Sequence, residues 1–266
     1  MYKAVISDLD GTLLNSKHEI SDYSKEIIGR IIKKGIKFII ATGRHHKDAM
    51  CFKKQLGADS FLVSANGSVV HDYKNKPIIN DTIPKDYAEY FLNLDLEDEI
   101  MQNVYTFDKW YVNMDVPEVN KYHKESGFTP NIVELKKIST DNISKFAYIC
   151  RDSRVLDKLE EKLKKDKNIS KNINITASLD ICLEIMGKGV SKGKAISEIL
   201  RREGISLEET IAFGDGLNDK EMLELVGKGL IMGNASKKLK EALPNNEVIG
   251  TSDEDSEARY LKKIFL

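Results

Sequence analysis

Hydrophobic and polar positions along this chain fall into a strand-and-helix rhythm at both ends, with a different pattern between them. Ala4-Val5-Ile6 is an uninterrupted apolar run, which suits a strand buried on both faces of a parallel sheet. Ser21 to Gly35 places Ile27, Ile28, Ile31 and Ile32 on one helical face, and Ile36 to Ile40 reads as the next strand. Phe61-Leu62-Val63 and Ser68-Val69-Val70 flank Asn66-Gly67, a strong turn dipeptide, so a small hairpin is expected there. Far downstream, Ser191 is a suitable cap for a helix carrying Ala195, Ile196, Ile199 and Leu200, with Gly204 as its stop. Thr210-Ile211-Ala212-Phe213 is a further strand.

The register changes near Pro84. From there to about Gly187 the pattern is a helix (Asp86 to Leu94), two short strands (Val104 to Phe107 and Trp110 to Met114), another helix and a strand (Phe146 to Cys150). A helix (Val155 to Lys165) and strands Ile173 to Ala177 and Cys182 to Met186 complete it. This is an α+β insert, so the predicted organisation is an α/β parallel-sheet core from residues 1–82 and 188–266, interrupted by a domain at 83–187. The joins near Ile83-Pro84 and Gly187-Lys188-Gly189 are short and suit hinges for a lid.

Four polar motifs sit where core strands end, and open α/β sheets bind ligands at the carboxyl ends of their strands. Asp8-Leu9-Asp10-Gly11-Thr12 follows the first strand. Two carboxylates held close together require a compensating cation or a shared proton, which points to magnesium. Ala41-Thr42-Gly43-Arg44 follows the second strand and offers a hydroxyl and loop amides to phosphate oxygens. Ser191-Lys192-Gly193 places a lysine at a helix start, and Gly214-Asp215-Gly216-Leu217-Asn218-Asp219 brings further acids to a strand end.

In this order the motifs resemble the haloacid dehalogenase superfamily, and within it the Cof-like sugar-phosphatase branch. Asp8/Asp10, Thr42-Gly43-Arg44, Lys192 and Asp215/Asp219 match the family's four motifs, and Ser64-Ala65-Asn66-Gly67 and Met232-Gly233-Asn234-Ala235 look alike as well. The resemblance implies a Rossmannoid core with an inserted α+β cap that contacts substrate. One departure lies at Asp253-Glu254-Asp255-Ser256-Glu257-Ala258, where the family often runs Asn-x-x-Asp-Gly-Val-Ala.

The implied activity is magnesium-dependent hydrolysis of small phosphate monoesters, sugar phosphates or related phosphometabolites. Asp8 is the expected nucleophile, because a carboxylate is already ionised at neutral pH and needs no base to activate it. Magnesium is expected on Asp8, the Asp10 main-chain carbonyl and Asp215. The Asp10 side chain is expected to protonate the departing alkoxide and then deprotonate the hydrolytic water, which calls for a raised pKa. Thr42, Gly43, Asn66, Lys192 and Asn218 are assigned to phosphate or substrate, and Arg44 to a loop or a remote substrate oxygen. Asp219 supports the site, through the metal's water or by orienting Lys192. A phosphomutase or phosphotransferase on the same scaffold, or a non-catalytic phosphometabolite-binding protein, are the alternatives.

Composition narrows the partners. Over 266 residues, 41 Lys and Arg oppose 42 Asp and Glu, so no overall basic field favours nucleic acid. No apolar run reaches a membrane span, and the expectation is a cytoplasmic monomer or small homo-oligomer acting on a small phosphorylated metabolite. Cys51, Cys150 and Cys182 lack paired spacing and read as unpaired thiols. His45-His46 follows the second motif and is placed to approach substrate, whereas His18, His71 and His123 read as surface or structural.

Overall fold

A computed structural model describes residues 1–57, 60–116 and 123–266. Among these residues the strands form two sheets. The first contains β1 (Ala4–Ser7), β2 (Lys37–Ala41), β3 (Leu62–Ser64), β4 (Val69–His71) and β5 (Pro77–Asn80). The second contains β6 (Met101–Thr106), β7 (Trp110–Val112), β8 (Asn131–Ile132), β9 (Ile143–Ile149), β10 (Ile173–Leu179) and β11 (Cys182–Gly187). The chain then returns to the first sheet with β12 (Thr210–Gly214), β13 (Lys228–Ile231) and β14 (Glu247–Val248). The first sheet runs β14-β13-β12-β1-β2-β3-β4-β5, parallel from β14 to β3, and the second runs β10-β11-β9-β6-β7-β8.

Both faces of the larger sheet are covered. Helices α1 (Asp22–Lys33) and α2 (His46–Gln55) pack on one face through Ile27, Ile28, Ile31 and Phe52. In the insert, α3 (Lys85–Leu92), α4 (Ser153–Lys165) and α5 (Lys167–Asn172) cover one face of the smaller sheet, burying Phe91, Leu156, Leu159 and Leu163 against Val104, Phe146 and Tyr148. Helices α6 (Lys192–Glu203), α7 (Lys220–Leu225) and α8 (Lys237–Ala242) cover the opposite core face through Ile196, Ile199, Met222 and Leu239. The last helix, α9 (Ser256–Phe265), rejoins the α1 side with Ala258 and Leu261. No helix of the described residues is long and apolar enough to cross a membrane.

Local chemistry explains the boundaries. Ser21 accepts the Ser24 amide at the start of α1, Ser191 accepts the Lys194 amide at the start of α6, and Gly204 ends α6 in the left-handed region. The hairpin around Asn66-Gly67 pairs Ser64 with Val69, so its connection is a short 3₁₀ turn over Ala65–Gly67 rather than a two-residue loop. Gly67, at φ 99°, lies so near the start of α6 that a Cβ would come 2.3 Å from the Ser191 carbonyl oxygen. Between Met114 and Phe146, where a helix is expected, residues 117–122 lie outside the described residues, and residues 123–142 hold turns, β8 and a 3₁₀ turn at Leu135–Lys137 in place of an α-helix.

Register positions the chemistry. Ser7 lies beside Phe213 on β12 and beside Ile40 on β2, so the three strands end level. Asp8, Thr42 and Asp215 therefore emerge at one edge, although they are spread along the whole chain.

Candidate active site

Asp8 follows β1, and its amide donates to the Phe213 carbonyl, which ties the first motif to β12. Asp215 leaves β12 directly opposite. Thr12 Oγ1 donates to Asp215 Oδ1 at 3.1 Å, and Gly11, at φ 75°, leaves no room for a side chain because a Cβ would stand 2.3 Å from Asp215 Oδ2. Glycine there lets the Asp8 turn and the Asp215 carboxylate share one small volume.

Lys192 occupies the centre. Its Nζ donates to Asp8 Oδ1 at 2.8 Å and to Asp219 Oδ1 at 2.6 Å, and its side chain is fully buried. Asp219 Oδ2 accepts the amides of Asp215 and Gly216, each at 3.0 Å, so this acid both orients the lysine and shapes the Asp215 loop. Carboxylate oxygens of Asp8, Asp215 and Asp219 lie within 4.8 Å of one another.

Three buried acids against one lysine leave an excess of negative charge. Desolvation, with the neighbouring Asp219 and Asp10 charges and against the pull of Lys192, pushes the Asp8 carboxyl up to about 7. Desolvation and the charges of Asp8 and Asp219 raise Asp215 well above the usual carboxylate range. Lys192 is also buried, yet Asp219 and Asp8 hold its ammonium above the ordinary lysine value. A compact set of oxygen donors that would take up protons for want of positive charge fits a hard divalent cation.

Asp10 departs from the sequence expectation. Its pKa was expected to be raised; desolvation does act in that direction, but the Arg44 guanidinium overcomes it and holds the carboxyl well below its ordinary value. Arg44 donates from Nε to Asp10 Oδ2 at 2.7 Å and from Nη2 to Oδ1 at 2.5 Å, a two-pronged grip that turns the Asp10 side chain onto the arginine. His18 Nδ1 is 3.8 Å from Asp10 Oδ1. Arg44 also donates from Nη1 to Asp48 Oδ2 at 3.0 Å, so in this conformation its fork serves two carboxylates of its own chain.

The second motif forms the wall beside Asp8. Thr42 is buried and its hydroxyl accepts the Arg44 amide at 3.1 Å. Asn66 is brought to Asn218, whose Nδ2 donates to Asn66 Oδ1 at 3.0 Å. Gly43 faces the insert: its carbonyl accepts Lys145 Nζ at 2.7 Å, and a Cβ there would meet Glu184 Oε1 at 3.0 Å. A cleft of about 330 Å³ opens between Lys192, Asn218 and Asn66 on the core and Asn174, Thr176 and Met186 on the insert.

Several site neighbours escaped the sequence reading. Lys145 on β9 and Glu184 on β11 form a buried pair at 2.5 Å, with Glu184 Oε2 lacking a partner. Asp48 binds His123 Nδ1 at 2.7 Å and Ser126 Oγ, both from the insert. No motif signals these residues, because each matters only through a partner distant in sequence. His45 caps α2, accepting the Lys47 amide at Nδ1, which leaves Nε2 to donate to the Thr106 carbonyl on β6. Asn234 donates to the Gly11 carbonyl at 2.7 Å and accepts the Ser252 amide, joining the first motif to the C-terminal loop. In that loop Asp255 takes a left-handed conformation, and Glu257 is buried with Oε2 2.7 Å from Ser7 Oγ.

The chain is similar to known proteins along nearly its whole length. Residues 5–261 match the family described as haloacid dehalogenase-like hydrolase. A protein of Buchnera aphidicola subsp. Baizongia pistaciae is 39% identical over 266 residues, covering 100% of this chain and 99% of the relative. An HMP-PP phosphatase of Serratia proteamaculans is 32% identical over 263 residues, covering 98% and 95%. A haloacid dehalogenase-like hydrolase from B. subtilis superposes with a TM-score of 0.82 at 28% identity, covering 98% of this chain and 99% of that one.

Proposed function

We propose that this chain, which belongs to the haloacid dehalogenase-like hydrolases, is a phosphatase that cleaves small phosphate monoesters through an aspartyl-phosphate on Asp8. The observation that carries this reading is the position of Lys192 Nζ, bonded at once to Asp8 and Asp219 at the edge where the core strands end. A carboxylate nucleophile needs positive charge beside it before an anionic phosphoryl group can approach, and this lysine is fixed where that charge is required.

The Asp8 carboxylate attacks phosphorus, and the bond to the departing alcohol breaks. Lys192 faces the charge that develops on the transferring group, Asn218 lines the cleft beside it, and the Thr42 hydroxyl and the Gly43 amide, which follow β2 at the same sheet edge, are the further donors. Asp8, Asp215 and the Asp10 main-chain carbonyl are the residues that would hold magnesium, with Asp219 in support; when bound, the ion offsets repulsion between the nucleophile and the phosphoryl oxygens.

Asp10 then acts as a base. Arg44 holds it ionised, and once that grip opens to free an oxygen Asp10 can accept a proton from the water that attacks the aspartyl-phosphate. To protonate a departing alkoxide it must first part from Arg44. The cleft between Asn218 and Met186 gives the alcohol part of the substrate a place against the insert.

Relatives named HMP-PP phosphatase make HMP-PP a first ester to try, beside sugar phosphates. The test is a panel of phosphate esters with magnesium, read as kcat/KM, together with acid quenching and peptide mapping of a phosphorylated Asp8. Absence of turnover across the panel, or a phosphorylated residue other than Asp8, would remove this reading. Transfer of the phosphoryl group from a hexose bisphosphate back to sugar, without release of phosphate, would mark a mutase instead.

A further inference from the structure

Thr42, Gly43 and Arg44 present three consecutive backbone carbonyls just beyond β2, and these are held from two different sides. The Asn66 amide donates to the Thr42 carbonyl at 3.0 Å and the Ala65 amide to the Arg44 carbonyl at 2.8 Å, both from within the core. The middle carbonyl, that of Gly43, receives its hydrogen bond from the insert, from Lys145 Nζ on β9 at 2.7 Å. The same Gly43–Arg44 peptide carries at its other end the N–H that donates to Thr42 Oγ1 at 3.1 Å. That bond occupies a lone pair of the hydroxyl and leaves its proton for a phosphoryl oxygen.

Glycine gives this peptide a rotational freedom that a side chain would restrict, and a Cβ at 43 would stand 3.0 Å from Glu184 Oε1 and 3.1 Å from Asn66 Oδ1. A peptide free to turn yet needed to orient a hydroxyl requires an anchor. Lys145 is itself fixed: its side chain is buried, and its Nζ bonds Glu184 Oε1 at 2.5 Å and lies 5.0 Å from the centre of the Tyr105 ring, all within the insert. Pairing with Glu184 offsets its charge at a distance, so what meets the core is a directed N–H and not a free cation. It meets the core only while the insert is seated, where His45 to Thr106 and Ser68 Oγ to the Ser144 carbonyl mark the same contact.

We propose that Lys145 is a positioning residue that the insert contributes to the phosphate-binding wall: by holding the Gly43 carbonyl it fixes the Gly43–Arg44 peptide, and with it the direction of the Thr42 hydroxyl. The phosphate site is then complete only with the insert seated, whatever alcohol the ester carries. This inference rests on the phosphatase reading above, which assigns Thr42 to the phosphoryl oxygens.

Inorganic phosphate is the probe, because it has no alcohol part for the insert to contact, and calorimetric titration in magnesium gives its Kd. Lys145→Met combined with Glu184→Leu replaces a buried pair by apolar side chains, an exchange that is often neutral or stabilising. This double variant should keep the parent Tm and bind phosphate about tenfold more weakly, the size of one directed hydrogen bond to a charged group. Glu184→Gln, which keeps an acceptor for Lys145, should bind phosphate at least as tightly as the parent. Because Lys145 acts through Thr42, adding the double change to Thr42→Val should weaken binding no further than Thr42→Val alone. Reciprocity requires phosphate to favour the seated insert, so hydrogen exchange in the insert peptide containing Thr106 should slow when phosphate is added to the parent, a measurement that decides the matter even if the double variant fails to fold. A weakening below about threefold in the double variant, further loss on the Thr42→Val background, reduced affinity in Glu184→Gln, or parental exchange unchanged by phosphate would each overturn the proposal. A parent that neither binds phosphate nor turns over any ester would remove the phosphatase reading and this inference with it; a parent that does both, beside a double variant with the parental Kd, would remove the inference alone.

Discussion

Lys192 Nζ stands 2.8 Å from Asp8 Oδ1, although 184 residues separate the two in sequence. The contact exists because α6 begins beside the end of β1, with Gly67 permitting the close approach of the intervening turn. It makes the lysine both a structural and a chemical centre.

Replacing Lys192 with Met keeps much of the volume but leaves Asp219 buried without its cation. Removing one partner of a buried ion pair typically costs about 3–5 kcal/mol, so a large drop in Tm is expected together with loss of turnover. Thermal unfolding of Lys192→Met beside Lys192→Arg checks this; unchanged stability in the methionine variant would contradict the central role given to the pair.

Asp8→Asn should lower kcat by roughly a thousandfold or more while the fold survives, because an amide cannot form the covalent intermediate. Circular dichroism with single-turnover kinetics decides the point. Near-native turnover would eliminate aspartyl-phosphate chemistry.

Metal removal should reveal the acid cluster. Asp8 titrates at about 7 and Asp215 is raised as well, so without further positive charge the folded protein binds protons that the unfolded chain has already released. A raised carboxylate favours folding least once pH exceeds its folded-state value, and stability from this source falls as pH rises from about 4 toward 7. A cation must displace those protons, so the increase in Tm on adding magnesium should grow over the same interval and level off above it. A pH-independent increment would argue against binding at Asp8 and Asp215.

The histidines at the core–insert contact predict the opposite sign. Burial pushes His45 down to about 4 and His46 to about 3, so both are neutral in the folded protein. Stability linked to them is present above the unfolded histidine pKa of about 6.5 and is lost as pH falls toward the folded-state values. His46→Phe should therefore flatten the acid limb of a Tm–pH curve recorded in chelator, and an unaltered limb would refute the assignment.

Substrate ranking should depend on Glu184 and not on Trp110. Trp110 is fully buried and its Nε1 donates to Asn103 Oδ1 at 2.9 Å, which makes it scaffold for the insert. Glu184 lies over Gly43 with one oxygen unpartnered. Glu184→Gln should reorder kcat/KM across a panel of esters, whereas Trp110→Phe should lower Tm and leave the order unchanged. The reverse result would move recognition to the β6–β7 hairpin.

The sequence by itself determined most of the elements and the sheet edge that carries the candidate site. Apolar runs such as Ala4-Val5-Ile6 and Thr210–Phe213 can be buried on both faces only in a covered parallel sheet, and short acidic or glycine-bearing motifs directly after them fall at its carboxyl edge. Ser191 and Gly204 marked the ends of α6 because capping is local chemistry. The ionisation of Asp10 was not local. Nothing within its own motif distinguishes a raised carboxyl from one held down by an arginine 34 positions away, and only the pairing of β2 with β1 brings Arg44, just beyond β2, to it. The same holds for Lys145 with Glu184, and for Asp48 with His123 and Ser126, which are ordinary polar residues until two sheets meet. Charge interactions depend on distance and burial, and tertiary structure sets both.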